Sequence, residues 1–160
     1  MALTNAQKAL VKTYILADPV LSTKVSGPGT DYGFIAATLS SAASPVVKAW
    51  KTAVPASDSD EGVDYSTFDT LVAGKRDSWR FFLAFSRDFT KVKVRKWITD
   101  VFGNATAGSN AEAILNAGVE NAKLVETIIG GDVRTTGTVS AIARNFVGTV
   151  SIEEVNNLLK

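Results

Sequence analysis

The sequence predicts a mainly α fold, a compact bundle of six to eight short helices with a minor β-strand or hairpin element near residues 133–150. Three observations lead there. Apolar residues recur at i, i+3 and i+4 in one segment after another. Three helix starts pair Ser or Thr with Gln or Glu three residues on: Thr4 with Gln7, Ser109 with Glu112, and Ser151 with Glu154. The stretch "VRTTGTVSAIARNFVGTVS", rich in Thr, Val and Gly, instead alternates imperfectly and reads as one or two strands. With 160 residues, 46% hydrophobic and 21% charged, the chain reads as a single globular domain over 1–160.

The first helix starts at the Thr4–Gln7 box, carries Leu10, Val11, Tyr14 and Ile15, and stops at Asp18-Pro19. "SGPGTDYG" is a loop by its Gly and Pro content, and a second helix runs from Thr30 or Asp31 to Ser40. "SPVVKAW" predicts a third, with Ser44 as cap and Pro45 at the first helical position, ending at Pro55. Residues 55–63, "PASDSDEGV", read as an acidic linker loop, and "YSTFDTLVAG" as a short helix capped at Ser66 and closed by Gly74. Past the loop "GNATAGSN", a helix runs from Ser109 to Gly118. "VENAKLVETII" stays helical to Gly130, and "SIEEVNNLLK" closes the chain as a helix.

The stretch "SWRFFLAFSRDFTKVKVRKWITDVFG", residues 78–103, concentrates rings and cations. On a helical wheel Phe81, Phe82, Phe85, Phe89 and Val92 share one side, while Val94, Trp97, Ile98, Val101 and Phe102 share nearly the opposite side. Two helices with a break near Asp88–Thr90 satisfy both stripes, with Thr90 capping the second and Gly103 ending it. The cations Lys91, Lys93, Arg95 and Lys96 then border the apolar stripe on both flanks, as side-chain stems covering the margin of a core do. The competing readings are a phosphate-binding surface formed by those four residues, or a protein contact anchored on Trp79 or Trp97.

Several chemistries are excluded or left without residues. No cysteine is present, which removes disulfides, thiolate metal sites and thiol nucleophiles. No histidine is present, which removes the commonest metal ligand and the commonest base near neutral pH. The acidic run starting at Asp58 fails the calcium-loop pattern, because Val63 and Asp69 stand where glycine and glutamate are required. Neither "GPG" nor "IIGGD" is a phosphate-cradling loop. Charges interrupt every apolar run before membrane-spanning length, and Lys8 and Lys12 break up the N-terminal segment, so neither a span nor a secretion signal is expected. A net charge of +1 disfavours a free-standing nucleic-acid binder. A non-enzymatic protein with no catalytic, metal or cofactor site is the expectation.

The phrases "ILADP", "TDYGFIAATLSSAASPVVKAWKTAVP", "VRKWITDVFGNATA" and "FVGTVSIEEV", in that order across nearly the whole chain, resemble small, mostly helical proteins encoded by tailed bacteriophages. The acidic spacer after Pro55 departs from that pattern. The resemblance implies a virion structural or assembly protein, in a capsid, head–tail connector or tail position. It would be found in the virion, and in host cytoplasm during assembly. It brings no catalytic or binding positions with it. The implied partners are other virion proteins and copies of itself. The alternative is a phage regulator that binds nucleic acid or a host protein through residues 91–96. By position, Tyr32 and Phe34 beside the glycine loop and Trp50 near the Pro55 turn are candidate protein contacts, as is the segment 130–150. A core role is the competing reading for each ring.

Overall fold

The computed structural model describes residues 3–160. Among them are nine helices and a four-stranded mixed sheet of order β2-β1-β4-β3, so the fold is an α/β mix rather than the expected helical bundle. The strands are β1 (Lys48–Trp50), β2 (Val119–Asn121), β3 (Gly131–Thr136) and β4 (Val139–Arg144). The hairpin β3–β4 is the β element that Thr/Val/Gly content predicts. The other two strands replace predicted helix: β1 occupies "SPVVKAW", and β2 occupies the start of "VENAKLVETII". Each is three residues long and exists through distant partners. Ala49 registers with Ile142 in a parallel pair, and the Lys51 N–H donates to the Gly118 carbonyl at 2.9 Å. Local periodicity carries no trace of such pairings.

The described residues form two compact units, one from residues 3–47, 121–132 and 144–160, the other from 48–120 and 133–143. The first contains α1 (Asn5–Ala17), α2 (Tyr32–Ser40), α8 (Leu124–Ile129) and α9 (Ile152–Leu159). The predicted capping boxes start α1 and α9, with Thr4 accepting from the Gln7 N–H and Ser151 from the Glu154 N–H. Val11, Ile15, Ile35, Leu39, Val125, Phe146 and Val155 make the core of this unit. At its centre Glu126 is buried against Arg144 at 3.0 Å, with both side chains under a twentieth exposed. The same carboxylate also accepts from the Lys123 N–H at 2.9 Å and the Gly148 N–H at 3.2 Å, so each of its oxygens is engaged. The ion pair thereby ties α8 to the end of β4, and the Gly148 bond ties it to the chain that follows.

The second unit holds α3 (Ala56–Glu61), α4 (Tyr65–Phe68), α5 (Ala73–Phe82), α6 (Val92–Phe102) and α7 (Asn110–Ala117). Residues 55–63, expected as a loop, thus carry α3; Pro55 stands at its cap and Asp58 in its first turn favours the positive end of the helix. Asp64, not Ser66, caps α4, and Gly74 lies inside α5 instead of ending a helix. The break between α5 and α6 comes where two stripes require it. Its cap is Lys91, because the Thr90 N–H and hydroxyl both donate to Asp88. Gly103 ends α6 at φ +87° as expected. Ser109 caps α7, but the box is half formed: Glu112 accepts from the Gly108 N–H instead of that of Ser109.

The core of this unit is aromatic. Trp79 stacks on Phe82 at 4.8 Å and meets the edge of Phe102 at 4.9 Å. Phe89 is fully buried against Gly118, where an added Cβ would stand 1.9 Å from the ring. Arg95 turns inward from α6 and is 2% exposed. Its guanidinium lies 4.8 Å from the Trp50 ring on β1, donates from Nε to Thr136 Oγ1 on β3 at 3.0 Å, and donates from Nη1 to the Phe89 carbonyl. One side chain therefore holds two strands and the α5–α6 connection to α6.

Glu126→Gln keeps an acceptor but removes the negative charge that stands 3.0 Å from the buried Arg144 guanidinium. It is expected to lower stability by roughly 3–5 kcal/mol, read from the denaturant midpoint at unchanged slope. Gly118→Ala overfills the Phe89 contact and should cost about 1–3 kcal/mol in the same measurement.

Candidate protein-contact surfaces

Beyond Phe82 the chain leaves the helix, and the wheel that groups Phe81 and Phe85 with Phe82 and Phe89 ceases to apply. Phe82 and Phe89 point into the core; Phe81 and Phe85 are 60% and 59% exposed. The reason they stay ordered is Arg87. Its Nε and Nη2 donate at 2.9 Å each to the carbonyls of Phe82 and Phe81 at the end of α5, where the Phe81 carbonyl also accepts from the Ala84 N–H at 3.2 Å. Backbone bonds in both directions with Val54, at 2.9 and 3.0 Å, fix the base of the arginine. Its guanidinium then sits 5.0 Å from the rings of Phe82 and Trp97, 5.4 Å from Phe85 and 6.0 Å from Phe81. Trp97, half-buried on α6, donates from Nε1 to Ser78 Oγ at 2.6 Å. The result is a preformed patch of two Phe, one Trp and one Arg. Those residue types dominate binding energy at protein interfaces, and rings already held in place lose little entropy on docking.

The four cations proposed as phosphate contacts do not form one face. Arg95 is buried, and burial, then the neighbouring Arg134, pushes its guanidinium below the ordinary value while Asp88 opposes the shift. Lys91 pairs with Asp88 at 3.6 Å and Lys96 with Asp100 at 2.5 Å. Lys93 alone of the four is exposed without a carboxylate beside it among the described residues. Charge in this unit is instead segregated along the chain. Residues 75–97 carry eight cations against two carboxylates, whereas residues 52–74 carry five carboxylates and no cation.

The acidic side opens a cleft of about 520 Å³ lined by Glu61, Asp64, Asn110 and Glu112. Hydrogen bonds from the Ser66 and Thr67 side chains hold the Asp64 carboxyl below its usual range. The Thr138 hydroxyl, then the Gly108 N–H at 2.7 Å, do the same for Glu112. Both groups therefore stay ionised at mildly acidic pH.

The first unit has its own uncovered surface, an open apolar groove of about 850 Å³ between α1 and α8. Every exposed residue from Ala6 to Ala17 is uncharged: Ala6, Ala9, Leu10, Thr13, Leu16 and Ala17, while Lys8 and Lys12 are half-buried. The Thr13 and Thr127 hydroxyls in the groove donate to the carbonyls of Ala9 and Leu124, at 2.9 and 2.7 Å, and so present their methyl groups. A helix apolar on its solvent side as well as its core side has the composition of a covered one.

Of the rings proposed as contacts, Trp50 is fully buried, with Nε1 donating to the Arg134 carbonyl at 3.0 Å, so the core reading holds for it. Tyr32 is half-buried against the core of the first unit. Phe34 is exposed, with the Lys24 ammonium 5.1 Å from its ring. Trp79, the other suggested anchor, is buried. Sequence reasoning missed Phe81, Phe85 and Arg87 as a group. The signal was present as three phenylalanines at 81, 82 and 85 with an arginine at 87, close to where the helix must break.

No helix among the described residues is long and apolar enough to cross a membrane, and no group of three or more acidic side chains among them is placed to hold a metal ion. No family model, curated protein or solved structure matches the chain.

Because the folded-state value of Glu112 lies below its unfolded one, its contribution to stability is complete above about 4.5, the ordinary glutamate value, and is lost as pH falls through the lowered folded value. Thr138→Val removes the largest cause, so the Glu112 titration midpoint, followed by carboxyl NMR shifts, should rise toward the ordinary value.

Proposed function

We propose that this chain is a non-enzymatic bacteriophage virion protein, structural or assembly-directing, which works through protein–protein contacts within an oligomer in a capsid, head–tail connector or tail position. Its partners are other virion proteins and copies of itself, and it passes through the host cytoplasm before joining the particle. The observation that carries the reading is the uncharged solvent side of α1 above the α8 groove. Leu10 and Leu16 each leave about half their surface in water, and covering that surface would contribute about 1 kcal/mol apiece. A particle subunit keeps such a face because a neighbour covers it once assembly is complete. The resemblance to tailed-phage proteins supports the same reading. So does a sequence without histidine or cysteine, whose side-chain investment lies in surfaces.

Mass spectrometry of purified particles of the encoding phage is expected to find the chain at a fixed copy number relative to the major structural protein. Its absence from particles overturns the proposal. Leu10→Asp, on an exposed position, should leave the melting temperature of the isolated chain within a few degrees and reduce incorporation into particles.

A further inference from the structure

We propose that the aromatic–arginine patch of the second unit docks the acidic α3–α4 edge of a second copy of this chain. The inference rests on the reading that the chain works through protein contacts, and it names the partner and the chemistry of one such contact.

The argument starts from charge left over in the fold. On the basic block four of the eight cations are already engaged: Arg80 with Asp77 at 3.1 Å, Lys91 with Asp88, Lys96 with Asp100, and Arg95 in the core; Lys75 and Arg76 are half-buried, and Arg76 donates to the Asp69 carbonyl at 3.0 Å. Arg87 and Lys93 have no carboxylate partner among the described residues, and Lys93 stands one helical turn before Trp97 of the patch. Arg87 spends two of its N–H donors on its own backbone and presents the remaining ones together with the faces of four rings. On the acidic block Glu61 and Asp69 are exposed and likewise in no ion pair among the described residues, and the Asp64 carboxylate accepts only from Ser66 and Thr67 of its own turn. Tyr65, half exposed, stands among them with its hydroxyl donating to Asp60 at 2.6 Å. The acidic edge thus offers two free carboxylates and a ring, and the basic patch offers two free cations and a set of rings. Within one molecule these groups do not pair.

A second copy is the occupant because it carries the complement at equal concentration, and because two blocks of opposite sign in one unit nearly cancel in the whole chain, whose net charge is +1. Opposite patches attract between copies and orient the encounter, while rings supply the buried area. A contact that uses different patches on its two sides also leaves one patch open on each outer copy, which lets the contact repeat around a ring.

The test is sedimentation and light scattering of the full chain at low and high salt. Wild type is expected to associate at about 50 mM salt and to dissociate at about 500 mM, as screening shortens the reach of the charges. Two surface variants separate the halves: Phe85→Glu with Lys93→Glu, and Glu61→Lys with Asp69→Lys. Each alone is expected to weaken self-association at least about tenfold, and an equimolar mixture of the two is expected to form a heterodimer, with thermal melts checking that both are folded. A wild-type chain monomeric at low salt and high concentration overturns the inference, as does a mixture of folded variants that stays monomeric. Association that neither variant changes but Leu10→Asp abolishes also overturns it, and leaves the protein-contact reading standing. Absence from particles strikes at that reading alone.

Discussion

The second unit depends on a cation placed where cations are costly. Arg95 comes from the most basic run in the chain, yet its guanidinium lies over the Trp50 ring and is bonded to Phe89 and Thr136. Burying a guanidinium is tolerated when its donors are satisfied and a ring face receives its charge. In return β1, β3 and the α5–α6 connection are referred to one point. The position of that connection decides where Phe89 goes in and where Phe85 comes out. The contact patch is therefore a consequence of the core, set by how the chain between α5 and α6 is held.

A second arginine completes the logic from outside. Arg87 closes the end of α5 by taking its last carbonyls, and in doing so lies among four rings, two of them largely in water. Stability and recognition are served by the same atoms here. In the first unit the corresponding centre is the buried Glu126–Arg144 pair, where neutralisation is mutual and every carboxylate oxygen has a donor. Its surface feature is also different in kind: an apolar groove with uncharged walls, against a patch in which cations and rings alternate. Two surfaces of such unlike chemistry suit two unlike contacts.

Much of the local structure was legible. The Thr4–Gln7 and Ser151–Glu154 boxes, the Asp18 stop, the division of residues 78–103 into two helices, Gly103 at positive φ, and strands after Gly130 all follow from hydrogen-bonding and steric rules that act within a few residues. The misreadings share a cause. "SPVVKAW" and "VENA" have helix-compatible spacing, and each became a strand because a partner far along the chain offered backbone hydrogen bonds. Asp64 displaced Ser66 as a cap, and Gly108 took Glu112 from its expected box, through competition among neighbouring donors that a pattern of letters does not rank. Of the surface, the pairing of Phe81 with Phe85 was hidden by extending a helical wheel past the residue where the helix ends.

What the amino-acid sequence settled unaided was chemistry and local form: no thiol or imidazole is available, charge is divided into an acidic and a basic block, and helices begin and end where caps and glycines put them. Those properties depend on residue identity and on neighbours a few positions away. Which cation is buried, which rings stay in water and which short segments become strands were decided only on folding. Each outcome depends on groups forty or more residues apart, such as Arg95 and Thr136 or Ala49 and Ile142, meeting in space. Long-range meeting is a property of packing, where filling volume and satisfying buried polar atoms outweigh the preference of any segment taken alone.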